Sequence, residues 1–301
     1  MQTQTALIGI LFSVFCSITQ AEPAPVFQRT FAMDAREVVT VEADVYSGDI
    51  TIEYNRDGQV SLYAIAHDSV GHNVTEKFLQ PSLTIDQLGN RIKIRQTPAI
   101  EYLNLAFAIS YHINVPYRTQ VNAIVRETGN QTVLGITGPV KVTTGGGDIR
   151  ASYIPTYLEA ATGRGTISCF RMGRVAAETG SGDISLSVVG TSRVTVKKGA
   201  GRIDVRGITG ALIASTDRGE LHVKAGLFSN WQLRSRFGNI LMELPPNWKF
   251  EVDTATRSGL VSIERADMQK PDADTTAYRE KVNGGGRYIR AESESGVITI
   301  R

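Results

Sequence analysis

From residue 121 to the end, apolar and polar residues alternate in short bursts, and the bursts recur around glycines. Gly147, Gly165, Gly182, Gly201, Gly219, Gly238 and Gly259 are separated by 18, 17, 19, 18, 19 and 21 residues. Gly129 extends the series backwards, and Gly296 ends it after a long insertion. Two residues after these glycines stand Ile149, Ile167, Ile184, Ile203, Leu221, Ile240, Val261 and Ile298. Seven before them stand Val140, Leu158, Val175, Val194, Leu212, Trp231, Val252 and Ile289. The parity of these offsets is that of strands with one buried face, so each unit reads as a strand, a tight glycine turn and a second strand. A unit this short cannot bury its apolar side alone and must stack on its neighbours. The pattern therefore predicts an all-β protein: a parallel β-solenoid with coils of about 18 residues, over 121–301.

Three before the glycine the inward position is polar, with Thr144, Thr162, Thr179, Lys198, Thr216, Ser235, Thr256 and Ser293. A hydroxyl there can bond along the rod or to free turn amides, and the inward parity favours this structural use over a ligand array. Lys198 interrupts the column. Residues 22–120 predict an N-terminal β region that caps the first coil. Within it Val39–Ala43 and Ser47–Ile52 already resemble a repeat, and Leu88-Gly89-Asn90-Arg91 resembles a hairpin turn. Solenoids commonly need such a cover against edge-to-edge growth. The polar stretch 266–287 predicts a mobile loop insertion. The chain ends in strand Val297–Arg301 with no cap in sequence, which leaves self-association through that rung open.

The thirteen residues Ala6–Ile18 are apolar or small, too few for a spanning helix and suited to an export signal cleaved near Ala21. Residues 1–21 are thus expected to leave, with the mature chain periplasmic, outer-membrane-associated or extracellular and without a transmembrane segment. Cleavage would also leave Cys169 alone, at an inward strand position, as a small apolar filler.

The order of several motifs resembles the bacterial putative-adhesin family of β-strand-repeat domains. They are Ser47-Gly48-Asp49-Ile50, Ile113-Asn114-Val115-Pro116, Gly135-Ile136-Thr137-Gly138-Pro139-Val140, Gly146-Gly147-Asp148-Ile149, Ser181-Gly182-Asp183-Ile184 and the terminal Ser295-Gly296-Val297-Ile298. The resemblance implies an exported or envelope-associated β-solenoid with a role in surface interaction or envelope stress, and it brings no catalytic residues with it.

Composition is that of an ordinary globular protein, 42% apolar and 21% charged with a net charge of +2. Such a charge gives no reason to expect nucleic acid as a partner. Gly145-Gly146-Gly147-Asp148 lacks a Lys-Ser/Thr ending and leads into a strand, so it is no phosphate loop. Asp49, Asp148 and Asp183 follow turn glycines and read as turn residues; as a calcium column they would be interrupted by Arg202. His67, His72 and His112 lack the further ligands a metal site requires, and His222 reads as solvated. No cofactor is expected. An enzyme acting on an acidic polysaccharide would draw on Asp183, Arg202, Asp204 and Glu220, a weaker reading than a solvated face.

One feature of the charge pattern bears on function. Residues 159–240 hold twelve Lys/Arg against six Asp/Glu. Stacking would gather Arg164, Arg174, Arg193, Lys197, Lys198, Arg202, Arg206, Arg218 and Arg236, together with Arg171 and Arg234, into a basic stripe. Such a stripe could bind anionic polysaccharide or lipid headgroups, or envelope proteins. The sequence therefore predicts a non-catalytic binding or structural module of the cell envelope. The alternatives are the polysaccharide enzyme and a self-associating scaffold.

Overall fold

The structure is a computed structural model that describes residues 25–34, 36–68, 76–79, 81–98, 107–226 and 228–301, with the backbone alone at 192–199. The export signal, Cys16 and His72 lie outside the described residues, as do the side chains of His67, Arg193, Lys197 and Lys198.

The N-terminal third holds β1 (Phe27–Phe31), β2 (Val39–Val45), β3 (Ile50–Tyr54), β4 (Val60–Asp68), a one-turn α1 (Glu76–Leu79), β5 (Leu83–Leu88), β6 (Arg91–Gln96) and β7 (Phe107–Val115). The middle adds β8 (Thr119–Thr128), β9 (Gln131–Leu134), β10 (Val140–Gly146), β11 (Ile149–Arg164), β12 (Ile167–Ser181), β13 (Ile184–Val189), β14 (Ser192–Ala200) and β15 (Ile203–Arg206). Then follow β16 (Leu212–Arg218), β17 (Leu221–Lys224), β18 (Trp231–Phe237), β19 (Ile240–Glu243), β20 (Phe250–Thr256), β21 (Val261–Ile263), β22 (Ala277–Val282), β23 (Arg287–Ser295) and β24 (Ile298–Ile300).

These strands form two long sides. One runs β5–β6–β2–β8–β10–β11–β12–β14–β16–β18–β23–β20–β22. The other runs β1–β4–β7–β3–β9–β11–β12–β13–β15–β17–β19–β24–β21. Strands β11 and β12 are long enough to bend round a corner and serve both sides. Pairing is parallel except at the ends, where β1–β4, β4–β7, β5–β6 and β20–β22 are antiparallel among the described residues. The protein is thus an all-β, mostly parallel stack, as the periodicity predicts. Alternation puts Val140, Val142, Ile149, Leu158, Ile167, Ile184, Ile203, Leu221 and Ile240 inside, all 0–1% exposed. Burying each such side chain stabilises the fold by about 1.5–3 kcal/mol.

The order of coils in space departs from their order in sequence at both ends. Strands β2 and β3 lie between β6/β7 and β8/β9, so the first repeat-like unit is an internal level and residue 120 marks no break in the stack. Strands β23 and β24 lie between β18/β19 and β20/β21. The expectation of an uncapped C-terminal rung is therefore wrong: that rung has a hydrogen-bonded neighbour on both edges. Its periodic pattern matches every other rung, so nothing local marks its level. The stretch 266–287 is likewise not a bare loop. It supplies β22, which covers β20, and Arg265 at its start donates to Leu244 O (2.7 Å) and pairs with Asp267 (2.7 Å).

The glycine turns fix the stack. A methyl group built on Gly165 would sit 2.1 Å from Gly147 O, and one on Gly238 would sit 2.0 Å from Gly219 O. The same collision places Gly296 on Gly238 and Gly259 on Gly296, which reproduces the spatial order independently. Gly165→Ala is expected to cost about 3 kcal/mol or more in chemical unfolding, since backbone must move at two levels. Gly58→Ala, with nothing within 4 Å of its would-be methyl, should cost about 1 kcal/mol through its positive φ alone. In hydrogen exchange, the amides of Ile289, Ala291 and Ile298 should be as protected as those of β16–β19. Rapid exchange there would contradict the internal position of the rung.

Candidate functional site

The polar columns predicted from sequence serve the stack. Thr144 Oγ1 donates to Gly129 O (2.9 Å), Thr162 to Gly147 O (2.9 Å), Thr179 to Gly165 O (3.2 Å) and Ser293 to Gly238 O (3.2 Å). Their partners are turn carbonyls of the neighbouring level, the bonding along the rod that the sequence offered as one of two uses. The residue after the glycine does the converse: Asp49 Oδ1 accepts from Asn130 N (2.7 Å), Asn130 Oδ1 from Asp148 N (2.9 Å) and Asp183 Oδ1 from Arg202 N (2.7 Å). Cys169 is buried, and burial pushes its thiol up to about 12, away from nucleophile chemistry. His112 stacks flat on Tyr63 at 4.6 Å.

Among the described side chains, the basic residues do not line up in one stripe. Arg164 and Arg218 stand just before turn glycines. Arg236 is on the β18 side, between Asp217 (3.3 Å) and Glu294 (3.4 Å). Arg202 follows the turn glycine and Arg206 ends β15, where it clasps Asp204 with two bonds of 2.9 and 3.0 Å. Arg174 is at the far corner, 6.0 Å from the Tyr157 ring centre. Strand parity told which residues point outward, but not which of three directions they take nor which acids face them.

His222 is not solvated as expected; it is 9% exposed. Its Nδ1 is 3.2 Å from Arg202 Nη2, and its Nε2 is 2.9 Å from Glu243 Oε1. An arginine only donates, so Nδ1 accepts and Nε2 carries the proton toward Glu243. Lys224 (2.8 Å) and Arg301 (3.1 Å) also reach Glu243. The bond from Lys224, with those from Arg301 and His222, overcomes burial and holds this carboxyl down at about 2. Burial disfavours the charge on Asp204, yet the bonds and charge of Arg206 hold it below the usual range. Arg279 does the same for Asp253 and Arg265 for Asp267. Of the Asp183, Arg202, Asp204 and Glu220 group, Asp183, Arg202 and Asp204 are thus already engaged in cross-linking contacts.

A different surface stands out at the corner where each level leaves its second strand. Gly135, Tyr153, Arg171, Val188 and Gly207 occupy one register position in successive levels, and all have φ between 53° and 74°. This left-handed residue swings the chain, so that the next side chain (Ile136, Ile154, Met172, Val189 or Ile208) points into the core. Glycine meets that demand without cost. Tyr153, Arg171 and Val188 each bear roughly 1 kcal/mol of strain instead. Tyr153 and Val188 stand about half exposed, at 47% and 51%, with Phe170 beside them at 39%. The Tyr153 and Phe170 rings meet edge to face at 5.7 Å, and the Arg171 guanidinium lies 5.5 and 5.3 Å from their centres. Further along, Tyr54 and Tyr117 form a second edge-to-face pair at 5.4 Å. Residues 134–138, 152–157, 170–174 and 187–191 contain no Asp or Glu. Among the described residues neither Arg171 nor Arg174 has an acidic partner. The repeated Gly-Ile-Thr-Gly at 135–138 and 207–210 was the sequence signal for this corner.

The geometry defines a class, the parallel β-solenoid covered at its ends by antiparallel strands. The chain belongs to the Toastrack DUF4097 family, whose model matches residues 113–301. No curated protein matches it. Among solved structures it is similar to a putative cell adhesion protein from Clostridium sporogenes, with 12% identity over 92% of this chain and 99% of that one and a TM-score of 0.28. It is also similar to a putative lipid binding protein from Parabacteroides distasonis (11% identity, 91% and 96% covered, TM-score 0.49). A third is a putative adhesin from Bacteroides fragilis (13% identity, 91% and 95% covered, TM-score 0.42).

The Glu243 network yields a pH prediction. Its carboxyl is depressed from an ordinary 4.5, so the stability it contributes is complete above that value and is lost as pH falls toward 2. The difference in unfolding midpoint between wild type and Glu243→Gln should therefore shrink across this interval. A constant difference would separate the network from the ionisation of Glu243.

Proposed function

We propose that the chain is an exported, non-catalytic binding module of the bacterial cell envelope, released from a leader of residues 1–21, and that it meets an anionic glycan or lipid headgroup at the Tyr153–Phe170–Arg171 corner. The observation that carries this reading is the corner itself: strained, exposed aromatic and cationic side chains at positions where the adjoining levels use glycine, with no acidic partner among the described residues. Strain kept at an exposed position is a reason to look for recognition there. The originally expected basic stripe contributes through Arg171 and Arg174. Arg202, Arg206 and Arg236 already have acidic partners.

The polysaccharide-enzyme reading drew on Asp183, Arg202, Asp204 and Glu220; of these, Asp204 is clasped by Arg206, which holds its carboxyl below the usual range, and Asp183 accepts from Arg202 N. The self-associating scaffold relied on an open C-terminal rung, which is enclosed by β18/β19 and β20/β21.

Binding of the chain from residue 22 onward to immobilised anionic glycans and anionic vesicles tests the proposal. Retention should weaken as salt rises, because exposed charges are screened within about 10 Å at 0.1 M. Reversing both Arg171 and Arg174 to Glu should weaken it about tenfold or more, whereas reversing Arg206 should change it less than about twofold. Equal loss from both variants, or none from the first, would overturn the assignment to this corner.

A further inference from the structure

Resting on the binding reading above, we infer that the corner's ligand is a linear acidic polysaccharide lying lengthwise on the rod, across successive levels, rather than along any one strand. Tyr54, Gly135, Tyr153, Arg171 and Val188 follow one another at a single register position. Parallel strands pair at about 4.8 Å, so the line from Tyr54 to Val188 is roughly 19 Å long and accommodates roughly four sugar rings in an extended chain. The rise per level is comparable to the length of one such ring, so successive sugars meet successive levels.

The chemistry along the line suits such a polymer. A pyranose has a face of C–H bonds that lies well on an aromatic surface, and an acidic sugar adds a carboxylate or sulfate at its rim. Tyr54 with Tyr117 and Tyr153 with Phe170 offer two ring platforms. Gly135 leaves a notch between them; a methyl group there would sit 3.3 Å from Tyr54 Cβ. Arg171 is held over the second platform by both of its rings and has no acidic partner among the described residues. Ser152 and Ser187 adjoin the line with small hydroxyls able to bond sugar hydroxyls. The guanidinium lies 5.5 and 5.3 Å from the two ring centres. The line is also one residue wide, a shape that fits a polymer better than a membrane plane.

Calorimetric titration with acidic oligosaccharides (oligouronides and sulfated oligomers) of two to ten sugars, neutral oligomers of the same lengths and phosphatidylglycerol vesicles tests this. Affinity for at least one acidic series should rise with length up to roughly four sugars and then level off. Neutral oligomers should bind about tenfold more weakly or worse. Arg171→Gln and the pair Tyr153→Ala with Phe170→Ala should each reduce acidic-chain binding about tenfold or more; thermal unfolding of each variant verifies that it is folded, and Phe170→Ser replaces the pair if that one is not. Vesicle binding that these variants abolish, with no acidic oligomer bound at any length, overturns the polysaccharide and leaves the binding module standing. Acidic chains bound without dependence on length overturn the lengthwise path. Binding of every ligand unaffected by all the variants overturns both this inference and the corner on which it rests.

Discussion

The whole architecture hangs on the place where one glycine carbonyl occupies the space that a side chain would need on the next level. From Gly48 through Gly129, Gly147, Gly165 and Gly182, each carbonyl oxygen lies 2.0–2.4 Å from the point where the next glycine's methyl group would be. Only a backbone without Cβ lets two sharp turns approach at the spacing of hydrogen-bonded strands. The other polar columns follow from that contact. A turn so tight leaves carbonyls and amides without strand partners, and a buried unpaired backbone group costs free energy. The inward Thr and Ser hydroxyls answer the carbonyls, and the Asp and Asn oxygens after the turn answer the amides. Both columns therefore follow from the geometry of the turn and are not available to a ligand.

That division of labour explains where function can reside. One corner of the cross-section is a spine of glycine, hydroxyl and carboxylate committed to stacking. The two long sides carry charges that are largely matched across levels, as with Lys141 and Glu159 (2.6 Å) or Arg126 and Asp44 (2.7 Å). Exposed pairs of this kind add little stability individually, about 0–1 kcal/mol, but they neutralise the surface. The left-handed corner is the exception, because among the described residues its cations Arg171 and Arg174 meet aromatic rings and no acid. Recognition is cheapest to build where the scaffold places the fewest demands.

Much of this was legible in the sequence. The glycine spacing, the inward parity of Ile149, Ile167 and Ile184, and the inward column of hydroxyls were all readable because they are local and repeat. Two things were not. The levels of β2/β3 and β23/β24 depend on which neighbours they pair with, and every unit carries the same local pattern, so sequence order was the natural but wrong guide to spatial order. The left-handed corner was concealed because Tyr153, Arg171 and Val188 stand where a glycine would have announced it. Only aligning 135–138 with 207–210 and reading across to 153, 171 and 188 would have exposed it. A count of charges along the chain also cannot see that Asp204 faces Arg206, or that Asp217 and Glu294 flank Arg236.

The interleaving of β2/β3 and β23/β24 has a mechanical consequence. A pull transmitted through Ile300 would not enter at an outermost strand, where coils could be peeled away one hydrogen bond at a time. It would enter at a level held by ladders on both edges, so that two rows of bonds must yield together before that coil is released. A rod loaded at that level resists traction as a clamped joint does.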